Sequence, residues 1–239
     1  MSFMRLNGQR PSSSTRTRSY GWGFAWLQIA AVALCGATFI TGAQPANAEP
    51  PVKVVALGDS LTAGYGLPEK DGFVPRLQAA LTAKGIAAAV TNAGVSGDTA
   101  ADGLARLSWS VPEGTDAVIV ELGANDMLRG LSPAITRDRL DAILHQLSQR
   151  HIAILLCGMR SAPNLGADYG HAFETIYPDL AAKYGAMLYP FFLDGVAGNL
   201  SLTQSDGLHP NAAGVGVIVE RILPKVEELI ARVRSQRPS

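Results

Sequence analysis

From residue 52 onward, short and nearly wholly apolar runs alternate with longer segments whose apolar positions recur every three or four residues. The runs at 53–57, 88–92, 117–122, 152–157 and 186–190 lack the apolar/polar alternation of half-exposed strands, so they predict five strands covered on both faces. Helical spacing between and after them predicts helices at 72–84, 99–107, 132–150, 172–184 and 211–233. Strands separated by helices are joined by parallel crossovers, so the pattern predicts an α/β fold, a three-layer αβα sandwich around a five-stranded parallel sheet. Chain punctuation agrees: Ser132-Pro133 predicts an N-cap with proline at the first helical position, and Gly85 and Gly185 predict helix C-terminal caps. Val215, Ile218, Val219, Ile222, Leu223 and Val226 give the last helix one apolar face, whereas 159–170, 191–205 and the Arg/Ser tail from Arg232 predict weakly structured chain.

The start of the chain follows a different pattern. Residues 1–48 carry Arg5, Arg10, Arg16 and Arg18 and no acid, then an apolar run over 21–43, then Ala46-Asn47-Ala48. A basic start, an apolar middle and a small-x-small end predict a secretory signal at 1–48 with Glu49 as the mature N-terminus, and so a protein exported to the periplasm or secreted. The competing reading is an uncleaved membrane anchor through 21–43, since about 20 apolar residues span a bilayer. Residues 49–239 then form one domain, in keeping with 239 residues at 47% hydrophobic and 17% charged. Formal charge is balanced over the whole chain, so removing a basic start leaves a mildly acidic body, which argues against a nucleic-acid partner. Cleavage also removes Cys35 and leaves Cys157 alone at the end of an apolar run, where a core role is expected and no internal disulfide can form.

The chemistry centres on Gly58-Asp-Ser60-Leu, where the first strand delivers a serine into a turn. A serine hydroxyl needs a base to take its proton and a third group to orient that base. Of four histidines, His145, His151 and His171 fall inside or at the edge of predicted elements, whereas His209 lies in Asp206-Gly-Leu-His209-Pro210-Asn211. Three residues apart across a glycine, Asp206 can reach the imidazole Nδ1 and leave Nε2 facing outward; the bland alternative is a carboxylate that merely caps a turn. Two further turns follow predicted strands, Ser96-Gly97-Asp-Thr99 and Gly123-Ala-Asn125-Asp126; with the Ser60 N–H, a backbone N–H of the first and the Asn125 amide could surround one oxyanion, although glycine and asparagine alone also fill ordinary turns.

These four blocks, in this order, resemble those of the SGNH (GDSL) hydrolase family, and the resemblance covers essentially all of 49–239. The fuller strings over 58–66, 96–99, 121–130 and 206–211 look closest to its multifunctional periplasmic acyl-CoA thioesterase, lysophospholipase and arylesterase group. The resemblance implies a flavodoxin-like strand order 2-1-3-4-5, Ser60 as nucleophile, His209 as base, Asp206 as its partner, and Ser60, Gly97 and Asn125 as oxyanion donors. It implies neither a metal nor an organic cofactor. The expected reaction is hydrolysis of carboxylic esters, acyl thioesters or lysophospholipids through an acyl-serine, with transient contact to membrane lipid. A carbohydrate O-acetylesterase is the alternative within the family, but no aromatic-rich platform favours a glycan. An anion-binding domain without catalysis is the alternative outside it, and that needs backbone N–H groups but no acid–base pair. After the Asn125-Asp126 block, Met127 and Leu128 are candidate acyl contacts or core residues, 159–169 is expected to form another cleft wall, and Arg160 can meet an anionic headgroup or form a surface ion pair, of which the ion pair is the favoured reading. The sequence leaves the oligomeric state open.

Overall fold

Five all-parallel strands run β1 Val52–Gly58, β2 Ala88–Gly94, β3 Ala117–Glu121, β4 Ala153–Cys157 and β5 Met187–Tyr189 in a computed structural model that describes residues 49–237. Their order across the sheet is β2-β1-β3-β4-β5, the order the family resemblance implied. The signal segment predicted at 1–48, with its anchor alternative at 21–43, lies outside the described residues. Among those described, no helix is long and apolar enough to cross a membrane.

The central strands are apolar because helices cover both faces. Every residue of β3 is buried, and of β1 only Lys53 is exposed. The helices are α1 Ser60–Ala63, α2 Phe73–Ala83, α3 Ala100–Ala105, α4 Leu107–Ser110, α5 Ala124–Leu128, α6 Pro133–Gln149, α7 Ala167–Glu174, α8 Ile176–Tyr184 and α9 Ala212–Gln236. Helices α2 and α9 pack together on one side of the sheet, and α6 packs with α3, α7 and α8 on the other. Asn211 caps α9 by accepting from the Gly214 N–H at 3.0 Å. Pro224 lies inside that helix, where proline costs about 3 kcal/mol, but the buried Ile218, Ile222, Val226, Leu229 and Ile230 each return about 1.5–3 kcal/mol.

Several boundaries differ from the sequence pattern for visible reasons. The helix expected at 99–107 breaks at Arg106, which leaves helical geometry (φ −103°, ψ 5°) with its guanidinium turned inward. The helix expected at 172–184 is two helices and begins at Ala167, inside chain expected to be irregular. It breaks at Thr175, whose Oγ1 donates back to the His171 carbonyl at 3.0 Å. Ser132 precedes α6 but its side chain makes no cap bond, so Pro133 alone carries the start signal. The tail expected to be weakly structured from Arg232 instead continues α9 to Gln236. The short helices α1 and α5 went unpredicted, since four or five residues show no period.

The register fixes where function can sit. Gly94, Gly58, Glu121, Cys157 and Tyr189 pair in one row across all five strands, so each following loop leaves from the same edge. The crossover from β1 to β2 and the return past β1 to β3 go opposite ways, which opens a crevice at the end of β1. Ser60 begins two residues beyond that end. The turn bearing it passes so close to β2 that a Cβ on Gly94 would collide with the backbone of Thr62 and Ala63.

Candidate active site

Asp59 starts α1 by accepting from the Leu61 N–H at 3.0 Å, an N-cap that stops β1 and turns Ser60 to the sheet edge. His209 arrives from the loop before α9. Gly207, at φ 68°, makes the tight turn between Asp206 and His209 that few L-residues would adopt. Asp206 Oδ1 accepts from the Leu208 and His209 N–H groups at 2.9 and 3.0 Å, which is the turn-capping role. Its other oxygen, Oδ2, lies 2.6 Å from His209 Nδ1, so one carboxylate both shapes the turn and meets the ring. His209 Nε2 lies 2.9 Å from Ser60 Oγ. The bond to His209, with the two backbone donors, holds the Asp206 carboxyl down at about 2, so it is charged throughout the neutral range. Tyr65 lies against the imidazole, ring centroids 4.7 Å apart, and Gln204 ties this loop to the Tyr65 carbonyl at 2.8 Å.

Of the predicted oxyanion donors, Asn125 lines the same cleft as Ser60, and its bond to the Asp98 carbonyl ties it to the turn that carries Gly97. Among the described residues, neither the Ser60 nor the Gly97 N–H donates to an acceptor. Asn125 is differently placed: its Nδ2 donates to Asp59 Oδ2 at 3.1 Å and to the Asp98 carbonyl at 3.0 Å. Both amide hydrogens are therefore engaged, and a ligand oxygen must share or replace one of them. Asp126 anchors the turn from behind, accepting from the Ala100 N–H at 2.8 Å and from Thr136 Oγ1 at 3.1 Å.

Three supporting groups were not singled out in the sequence. Arg106, 6% exposed, donates to the Gly58 and Ala93 carbonyls, each at 2.8 Å, and to Asp98 Oδ2 at 2.6 Å. It thus fastens the ends of β1 and β2 to the Gly97 turn. Beneath Ser60, Asp59 and Glu121 are both 0% exposed. Glu121 Oε2 accepts from Thr62 Oγ1 at 2.7 Å and from the Asp59 N–H at 3.3 Å, while Oε1 has no partner among the described residues. The one legible signal was a carboxylate closing the otherwise apolar strand Ala-Val-Ile-Val-Glu121.

Burial pushes the Asp59 carboxyl up to about 6, and burial with the neighbouring Asp59 charge pushes Glu121 well above its ordinary 4.5. Both pKa values are raised on folding, so the folded chain retains protons that the unfolded chain releases. Their contribution to stability is full below 3.8 to 4.5 and is lost as pH rises through about 6 and above. Glu121→Gln removes one of these protons while its amide oxygen can still serve Thr62 and Asp59. Melting temperatures taken from pH 4 to 8 are expected to decline less steeply for this variant than for wild type. Parallel curves would mean that Glu121 is ionised in the fold.

A cleft of about 590 Å³ opens from Ser60 and His209, lined largely by apolar side chains including Leu61, Met127, Met159 and Leu193. Met127 also packs on the core, while Leu128 is 53% exposed at the cleft, so the two candidate contacts have different settings. The wall expected from 159–169 is supplied by Met159 to Pro163. Arg160 departs from expectation: it forms no ion pair among the described residues and its guanidinium carbon lies 4.8 Å from the Phe191 ring centroid. His145, His151 and His171 are exposed and line no part of this cleft. Cys157 is buried, as expected of a core residue, and burial raises its thiol well above the ordinary 9.0.

Comparison with known proteins places these features in context. A family model described as the GDSL-like lipase/acylhydrolase family matches residues 56–217. The chain is 38% identical to the esterase TesA of Pseudomonas aeruginosa over 178 residues, 74% of this chain and 89% of that protein. It is 35% identical to the thioesterase 1/protease 1/lysophospholipase L1 of Escherichia coli K12 over 178 residues, 74% of this chain and 84% of that one. Among solved structures, that of AlinE4, described as an SGNH-hydrolase family esterase, is 48% identical, covers 77% of this chain and 98% of its own, and superposes with a TM-score of 0.64.

Proposed function

The chain belongs to the GDSL-like lipase/acylhydrolase, or SGNH hydrolase, family, and on that premise we propose that it hydrolyses acyl esters and thioesters through an acyl-enzyme on Ser60. It is an esterase of the thioesterase, lysophospholipase and arylesterase kind. The observation that supports the assignment of roles is the continuous line from Asp206 to His209 at 2.6 Å and from His209 to Ser60 Oγ at 2.9 Å.

In the first half-reaction Ser60 Oγ attacks the acyl carbonyl carbon as His209 Nε2 takes its proton. The negative charge that develops on the carbonyl oxygen is met by the Ser60 and Gly97 N–H groups and by Asn125, which exchanges one of its two present acceptors for it. Collapse breaks the bond to the leaving alcohol or thiol, which receives the proton from Nε2. Water then enters and attacks the acyl-serine as Nε2 takes its proton; the C–Oγ bond breaks, Oγ takes that proton back from Nε2, and the acid departs with Ser60 and His209 restored. Asp206 keeps Nδ1 protonated and offsets the imidazolium charge at each turn.

The apolar lining of the cleft favours an acyl chain over the acetyl group of a sugar ester. Leu128 and Leu208, 53% and 54% exposed beside it, suit transient contact with the lipid surfaces that hold such substrates. The basic, apolar and Ala-Asn-Ala pattern of 1–48 supports action outside the cytoplasm.

An intermediate common to both substrate types gives a direct test. With methanol added, a p-nitrophenyl ester and a thioester of one acyl group are expected to yield the same ratio of methyl ester to free acid, because the same acyl-serine partitions. Ratios that depend on the leaving group would contradict the proposal.

A further inference from the structure

Arg160 is the only residue with a permanent charge among those lining the cleft, whose remaining members are apolar or neutral apart from His209. The other two guanidiniums near the site are committed: Arg106 to two strand-end carbonyls and Asp98, and Arg129 to the Gly97 carbonyl at 2.6 Å. Arg160 makes no hydrogen bond or ion pair among the described residues. The nearby Glu174 accepts instead from the Ser161 N–H at 3.2 Å. What holds Arg160 is the Phe191 ring, 4.8 Å from its guanidinium carbon.

That contact uses the charge of the guanidinium and none of its five N–H donors. It limits the freedom of a long side chain while leaving a planar fork free, and such a fork matches two oxygens of a phosphate. Acyl substrates carry phosphate on the side that leaves: a lysophospholipid has a phosphodiester a few bonds from its ester, and an acyl-CoA has phosphates beyond its pantetheine arm.

We propose that Arg160, braced on Phe191, binds phosphate on the leaving group and makes the enzyme selective for phosphate-bearing esters or thioesters over neutral ones. This rests on the acyl-serine reading above, and the assay separates the two. Turnover of a neutral ester that depends on Ser60 upholds that reading whatever Arg160 does.

The measurement compares kcat/KM for decanoyl-CoA, a decanoyl lysophosphatidylcholine and p-nitrophenyl decanoate in wild type, Arg160→Ala and Arg160→Lys, below the aggregation threshold of each substrate. Arg160→Ala is expected to lower the ratio of a phosphate-bearing substrate to the neutral ester about ten-fold, through KM rather than kcat. Arg160→Lys, which keeps charge but loses the fork, is expected to fall between. Added salt is expected to erode the wild-type preference and to leave little further loss in the alanine variant. A loss confined to the lysophospholipid assigns the site to a phosphate close to the ester, and one confined to the acyl-CoA assigns it to the distal phosphates; either supports the proposal. Equal losses on all three substrates would reduce Arg160 to a structural prop, and unaltered ratios for both phosphate-bearing substrates would overturn it as well.

Discussion

Ser60→Ala is expected to lower kcat for ester hydrolysis by about 10⁵- to 10⁶-fold while leaving the fold intact. Losing the nucleophile removes the acyl-enzyme path altogether, because water would have to occupy the place of Oγ 2.9 Å from His209 Nε2. What survives is the modest acceleration that oxyanion donors and substrate orientation provide without a nucleophile. The hydroxyl has His209 as its one hydrogen-bond partner among the described residues, so its removal should leave the melting temperature nearly unchanged. Hydrolysis of p-nitrophenyl esters, followed with protein at high enough concentration to see the residue, measures the effect. Retention of a hundredth of the activity or more would require a different nucleophile.

How much of this was legible in the sequence depended on the range of the interaction. Strands β1, β3 and β4 were readable because both of their faces are covered and the apolar run states that directly, whereas β2, expected to be covered as well, is an edge strand that leaves Ala89, Thr91 and Asn92 exposed. Asp206 and His209 were readable because the contact spans three residues and one glycine, a local geometry. The strand order was not given by the pattern; it came with the family resemblance, since crossover lengths alone permit several orders. Arg106 resembled an ordinary helix surface residue, and nothing within a few positions announces that it reaches back to Gly58, 48 residues away. Asp59 stood in the motif beside Ser60, but its buried neighbour Glu121 is 62 residues distant, and only the sheet register brings them together. The ion pair favoured for Arg160 is absent among the described residues for the opposite reason. An exposed arginine is ordinarily paired with an acid, and the ring that replaces the acid here comes from a loop 31 residues on.

These longer contacts are what the proposal relies on to make a serine in a turn a reactive site. Arg106, Asp98 and Asp126 hold the Gly97 and Asn125 turns against the end of β1, while Gln204 and Tyr65 steady the ring of His209. Rate in such a site comes from donors that need not reorganise when charge appears, and the bonds from Arg106 and Asp126 are largely buried.

His209 is where the central claim is most exposed, for Ser60 is proposed to be nucleophilic only because Nε2 takes its proton. A positioned base is worth about 10²- to 10⁴-fold in rate, and no other histidine lines the cleft. The direct measurement is the rate at which a fluorophosphonate labels the protein, read by intact mass with the modified peptide sequenced, in wild type and His209→Ala. The expected result is a single adduct on Ser60 that forms about 10²- to 10⁴-fold more slowly in the variant. An adduct on another residue, or labelling of Ser60 at the wild-type rate without His209, would contradict the account.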